Sequence, residues 1–340
     1  MADVSINRVE THKQHAGASD AGGWIVSPIF DLLFFANVLW LLAFLPAYLS
    51  PEGEPYIEFW QVYFIATPHR WITHFLVVTD PDRRAGRNGL FVAIAVGLAV
   101  IIGGVQLGTG SLAALGLSYH VWNGWHFGAQ HSGILRIYAL KSGVGRRWLD
   151  TYAVRLFVVY AAIRLIPGFD RGVEFLRLDV AWLDYAVLAV PVGMLCSELV
   201  SMSRDRLPKL SYLTSVCALY SSLILAAHFQ QPKLILSLVT AATIFHSFEY
   251  FAIVGHYANR RQDHGSQGIF QLVARHWILT LFWFIIAFGI VSSTAHHLIA
   301  EIWYGVNLWA SFLHFAYDGL IWKLRRPATA EVLEATKVGA

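Results

Sequence analysis

Histidine is the residue type that could do chemistry here. The chain carries 15 histidines against 25 lysines and arginines. Most fall in four short fragments that are otherwise apolar: His69 and His74 in TPHRWITHF, His120, His126 and His131 in YHVWNGWHFGAQH, His246 and His256 in IFHSFEYFAIVGHY, and His314 in LHFAYDG, which follows His296 and His297. Neutral imidazole is a good ligand for iron, copper and zinc. The two cysteines, Cys196 and Cys217, form neither a CxxC nor a CxxCH pattern. No thiolate site, disulfide framework or covalent haem attachment is therefore expected. Carboxylates accompany two of the histidines. His314 and Asp318 are four residues apart and would share a helix face, and His246 and Glu249 are three apart.

The elements that carry these residues are set by composition. Hydrophobic residues make up 56% of the 340 and charged residues 14%, whereas soluble domains average about 45–50% and about 25%. There is too little charge to coat a soluble protein of this length. The composition excludes a soluble enzyme, a disordered chain and a nucleic-acid binder, and the net charge of +3 points to no anionic partner. Apolar stretches of about 20 residues, the length a bilayer requires, recur along the chain. They predict an all-α polytopic transmembrane bundle of about ten helices, near 27–49, 56–79, 89–107, 111–139, 149–167, 180–202, 210–228, 233–258, 272–292 and 298–322. Strands are not expected, because period-two alternation is missing and lipid admits only helices or closed barrels.

Basic clusters follow every second stretch: Arg83 to Arg87, Arg136 to Arg147, Arg204 to Lys209, Arg260 with Arg261, and Lys323 to Arg326. The opposite loops are acidic, mixed or very short, as at Glu52 with Glu54 and at Asp170 to Asp179. The positive-inside bias then places both termini in the cytoplasm and the protein in the cell membrane (the inner membrane of a bacterium). Residues 1–24 read as a cytoplasmic polar tail, 25–323 as a single transmembrane domain and 324–340 as a second cytoplasmic tail.

All four histidine-bearing stretches run in the same direction, so depths can be compared. His126 lies ten residues before Arg136, His314 nine before Lys323, His69 ten before Thr79 and His246 fourteen before Arg260. At the helical rise these sit roughly 14–21 Å below the cytoplasmic face, near the middle of a core about 30 Å thick. One histidine in a membrane helix reads as a packing or hydrogen-bonding residue. Four at one depth on four separate helices point to a shared metal ion. Partners five apart, His69 with His74 and His126 with His131, lie about 140° around a helix from each other and do not easily face one small site. The outer residues His228, His296 and His297 and the loop residues His12, His15 and His264 are expected to be interfacial, and His256 and His276 to be boundary residues. Aromatic residues at the same level, among them Trp71, Trp122, Trp125 and Trp309, would pack helices or wall a long apolar substrate. Asp318 and Glu249 are candidates to hold an imidazole tautomer by accepting its second N–H.

The fragments Pro68-His69, Trp125-His126-Phe127-Gly128, Ile244-Phe245-His246-Ser247 and His314 with Asp318 occur in an order that resembles the histidine motifs of the Brp/Blh-type bacterial membrane β-carotene dioxygenases. The resemblance implies a non-haem Fe(II) centre on His69, His126, His246 and His314, and O2-dependent cleavage of a carotenoid double bond in a membrane-dissolved substrate. Where that pattern has acidic residues or a further histidine, this chain has Thr73 with His74, then His131, then Tyr250 beside Glu249. His74, His131 and Glu249 could therefore build a second metal position, as in di-iron lipid desaturases and hydroxylases, although the HxxxH and HxxHH boxes of those enzymes are missing. Two further alternatives are a haem b membrane cytochrome and a proton-coupled transporter using Asp318, Glu249 and the histidines. Asp318, Glu249 and Tyr250 are the candidate catalytic residues.

Overall fold

Helix follows helix through the computed structural model, which describes residues 23–44, 59–84, 86–143, 145–166, 168–176, 178–263 and 269–323, together with Thr329 and Leu333. No strand occurs among these residues. The tails at 1–22 and 324–340 (those two residues apart), the loop with Glu52 and Glu54, and His12, His15 and His264 lie outside the described residues. The long helices are α1 (Thr67–Thr79), α2 (Asn88–Thr109), α3 (Gly116–Lys141), α4 (Val154–Arg164), α5 (Val180–Val200), α6 (Leu207–His228), α7 (Pro232–Asp263), α8 (Trp277–Leu298) and α9 (Ala300–Ile321).

Five of the described helical stretches, those containing α2, α5, α6, α7 and α8, are long and apolar enough to cross a membrane. Only 11% of the most apolar window of α2, and of α8, is buried within the chain. Leu107, Val200 and Ile278, on α2, α5 and α8, are almost fully exposed. Apolar helices that leave their side chains outside the core are matched to lipid, not water. Two groups of ion pairs bracket α6. At one, Lys209 and Arg136 bind Asp150 at 3.1 and 3.2 Å. At the other, Arg164 and His228 bind Asp184 at 3.2 and 2.9 Å. Lys209 and His228 both lie on α6, nineteen residues and about 28 Å apart. That separation matches a hydrocarbon core of about 30 Å.

Two predicted helices are not continuous. The stretch 27–49 begins with a turn capped by Ser27 at Pro28–Phe30 and a wide turn at Asp31–Phe35, then breaks at Asn37, whose backbone is left-handed at φ 43°. Asparagine tolerates that conformation better than most residues, and the chain continues as a tight 3₁₀ turn at Val38–Ala43. The stretch 272–292 is interrupted at His276, between Ile269–Arg275 and α8. A third irregularity bears on the site. Pro68 has no N–H to donate, and the turn before it widens into a π-helix over Val62–Ala66. The Thr67 hydroxyl donates to the Val62 carbonyl at 2.9 Å. The next residue but one is His69.

Helices α1, α3, α7 and α9 meet around the site. The helix packed on the other side of α3 can approach because of two glycines. A Cβ on Gly124 would stand 2.6 Å from that of Ala162, and one on Gly128 2.8 Å from the carbonyl oxygen of Arg155. Small residues one turn apart let helix backbones come close in lipid, and here they flank His126.

Candidate metal centre

His69 comes from the first turn of α1, His126 from the middle of α3, His246 from the middle of α7 and His314 from the last third of α9. All four are buried, and one nitrogen from each lies within 4.8 Å of every other. The rings meet edge to face, at 69–87° and centroid separations of 4.7–4.9 Å, around the square His69–His246–His126–His314. Edges therefore converge where stacked faces would have kept the nitrogens apart.

Hydrogen bonds fix which nitrogen two of the rings turn inward. His69 donates from Nδ1 to the Ala66 carbonyl at 3.1 Å. His314 holds Thr73 Oγ1 at 2.7 Å through Nδ1, and Thr73 in turn donates to Asp318 Oδ1 at 3.0 Å, so the imidazole is the donor. In both rings Nε2 keeps its lone pair. These two atoms, His69 Nε2 and His314 Nε2, are buried without a hydrogen-bond partner, as is His246 Nδ1. His126 Nε2 and His246 Nε2 face each other at 3.1 Å. With metal–nitrogen bonds of about 2.0–2.1 Å, neighbouring ligands stand roughly 3.0–3.4 Å apart. Leaving buried polar atoms unpaired costs about 1–3 kcal/mol each, a cost that a shared cation removes. The residues present therefore fit one ion held by imidazoles. Four rings this close leave no space for a porphyrin between them.

Asp318 stands beside the square. Its Oδ1 accepts from Tyr250 OH at 2.7 Å as well as from Thr73. Tyr250 also contacts Thr73 and receives the indole N–H of Trp322 at 3.1 Å. Oδ2 lies 3.7 and 3.8 Å from the Nε2 atoms of His314 and His126. Asp318 and Tyr250 thus sit next to the four nitrogens. Thr73 and Trp322 complete this network and were not among the expected site residues. The signal for Thr73 was its spacing, four residues after His69 on one face of α1.

His74, His131 and Glu249 are not part of the square. The Nε2 of His74 donates to the Ala310 carbonyl at 3.1 Å, and its ring lies among Trp71, Trp309 and Tyr317. His131 has both nitrogens engaged: Nδ1 with Glu249 and Tyr212 at 3.0 Å each, and Nε2 with Tyr220 at 3.0 Å. Glu249 accepts further from Tyr212 at 2.6 Å and from the Gln130 amide at 2.9 Å. The same Gln130 amide donates to the His246 carbonyl at 2.8 Å. In this second cluster both His131 nitrogens and both Glu249 oxygens are engaged.

A cleft of about 770 Å³ leads to the square. Its lining includes His126, Asp318 and Tyr250, the aromatic residues Trp122, Trp125 and Phe315, and the cations Arg147 and Lys323. A separate cavity of about 480 Å³ lies against Arg70, Tyr119 and Asn307. No family model, curated protein or solved structure matches the chain.

Proposed function

We propose that the chain is a membrane-embedded, mononuclear non-haem iron oxygenase acting with O2 on a lipophilic substrate, with oxidative double-bond cleavage of a carotenoid or isoprenoid as the reaction its histidine motifs suggest. The observation that supports this best is the convergence of four buried imidazoles, with two Nε2 atoms left unpaired, at the end of an aromatic-lined cleft. His69, His126, His246 and His314 would hold the ion. Imidazole alone also suits zinc and copper. A hydrolytic zinc, however, would need water delivered to an apolar interior, whereas a lipid and dioxygen both dissolve there. Bound Fe(II) supplies the dioxygen-dependent redox chemistry.

The chain's own residues have distinct tasks in this reading. Thr73 passes the His314 proton contact on to Asp318 and so fixes the ligand tautomer. Asp318, held by Tyr250 and Thr73, presents its second oxygen toward His314 and His126, where it can keep or take up a proton. Trp122, Trp125 and Phe315 exclude water and align an extended chain past His126. A single ion is favoured over a pair, because His131 and Glu249 spend their donor and acceptor capacity on tyrosines and Gln130. Ten membrane crossings, cytoplasmic termini and residence in the cell membrane belong to the same proposal.

Expression in a carotene-producing host tests the reaction. The wild-type chain is expected to bleach the pigment and yield aldehyde products, and the His126→Ala variant to leave it orange. Unchanged pigment with the iron-loaded wild type would remove carotenoid cleavage and leave another lipid as substrate.

A further inference from the structure

The cleft contains a cation that the site described above does not use. Arg155 lies in the first turn of α4 and lines the cleft. It is five residues beyond Asp150 of the Lys209 ion pair, about 7–8 Å further into the apolar zone. A guanidinium at such depth is costly unless it is paired. At Arg164 and Lys209 the price is met by carboxylates, Asp184 and Asp150. Arg155 has no carboxylate partner among the described residues. It donates to the Ser132 hydroxyl at 3.3 Å, its guanidinium carbon stands 4.8 Å from the centroid of the Trp125 ring, and its Nε is buried without a partner. Both contacts are neutral, so they leave the charge uncompensated.

The cleft that Arg155 lines, at about 770 Å³, has room for a chain. On α3 the cleft runs over Ala129 and Gly133, and a Cβ added at Gly133 would meet nothing within 4 Å. His126 is at one end of this small-residue floor. Ser132, which fixes the guanidinium, is six residues or about 9 Å along the helix from it. Arg155 lines the same cleft as Tyr250 of α7 and Asp318 of α9. A guanidinium offers paired N–H donors shaped for the two oxygens of a carboxylate or phosphate.

We propose that the cleft binds an amphiphile whose long apolar chain ends in an oxyanion, and that Arg155 pairs with that oxyanion. The acid group then anchors the substrate, and the segment of chain presented to His126 lies close to the acid end. This narrows the lipophilic substrate of the oxygenase reading to an acid-ended chain, in place of a hydrocarbon carotene, and it rests on that reading for the role of the bound chain as substrate.

Equilibrium binding of oleate, oleyl phosphate and oleyl alcohol to the detergent-purified chain tests the proposal. Wild type should bind an oleyl acid saturably, at one per chain, and more tightly than the alcohol; the tighter of oleate and oleyl phosphate identifies the oxyanion. Arg155→Gln should weaken the acid at least about tenfold and leave the alcohol unchanged. Gly133→Leu, which fills the cleft from an open position, should abolish both. Arg155→Gln protein with wild-type melting temperature and wild-type acid affinity would overturn the proposal, as would wild-type preference for the alcohol. Should Arg155→Gln fail to fold, unimpaired oleate binding by Gly133→Leu would overturn it equally. Chelation separates this proposal from the oxygenase reading. Oleate binding that depends on Arg155 and survives metal removal supports the acid site by itself, and a chain that never takes up iron but binds oleate through Arg155 would remove the oxygenase reading alone.

Discussion

Two histidine–carboxylate clusters stand side by side in this molecule, built from overlapping parts. His126 and His131 are both on α3, and His246 and Glu249 are both on α7. The first residue of each pair belongs to the square of four imidazoles and the second to the cluster with Tyr212 and Tyr220. Their residue types and burial are nearly the same. They differ in satisfaction: His131 and Glu249 find partners at 2.6–3.0 Å, whereas His69 Nε2 and His314 Nε2 find none. A satisfied buried network rigidifies a core, and an unsatisfied one is costly unless something else is bound. The comparison teaches that histidine content does not mark a metal site inside a membrane protein, whereas unpaired and convergent lone pairs do.

The comparison breaks most sharply at the square itself. Replacing His69, His126, His246 or His314 singly by Ala should abolish iron retention, read as metal per chain after purification. Next in size is the second cluster. His131→Ala removes one partner from a buried carboxylate and should cost about 3 kcal/mol of stability, seen as a lowered melting temperature, while iron stays bound. Equal iron loss in His131→Ala and His126→Ala would erase the distinction between the clusters. Thr73→Val should weaken iron binding without abolishing it. It keeps the shape and removes the link between His314 and Asp318, and loss of such an outer hydrogen bond costs about 10–100-fold in metal affinity, measurable by chelator competition. The smallest effect is expected at the Asp184 ion pairs. His228→Ala removes one partner of Asp184, which keeps Arg164 and Tyr160, and the protein should keep all of its iron and lose about 1 kcal/mol.

Much of the square was legible in the sequence, because depth in a membrane can be counted. Each of its histidines lies nine to fourteen residues from the C-terminal end of its stretch or the basic residue that follows it, and the helical rise converts those counts into one level. The 140° offset also separated His131 from His126, and the i,i+4 spacing of His314 and Asp318 placed a carboxylate beside the square. Contacts between helices far apart in the chain were not legible. Thr73 reaches Asp318 across 245 positions and Tyr212 reaches Glu249 across 37, and no periodicity encodes either. Glu249 looked like a partner of His246 because three residues separate them, yet the packing of α6 turns it toward Tyr212. The break at Asn37 was hidden for a different reason: a left-handed residue leaves no trace in hydropathy. The site also blurs the helices that carry it. The histidines and other polar side chains of α3 and α9 keep both helices out of the set apolar enough to span on composition alone.

Metal analysis combined with an absorption spectrum, on the purified wild-type chain and on the His314→Ala variant, tests the central claim most directly. One iron per wild-type chain, no porphyrin band and no iron in the variant are the expected results. A wild-type chain that takes up no transition metal, or a variant that retains a full equivalent, would contradict the account.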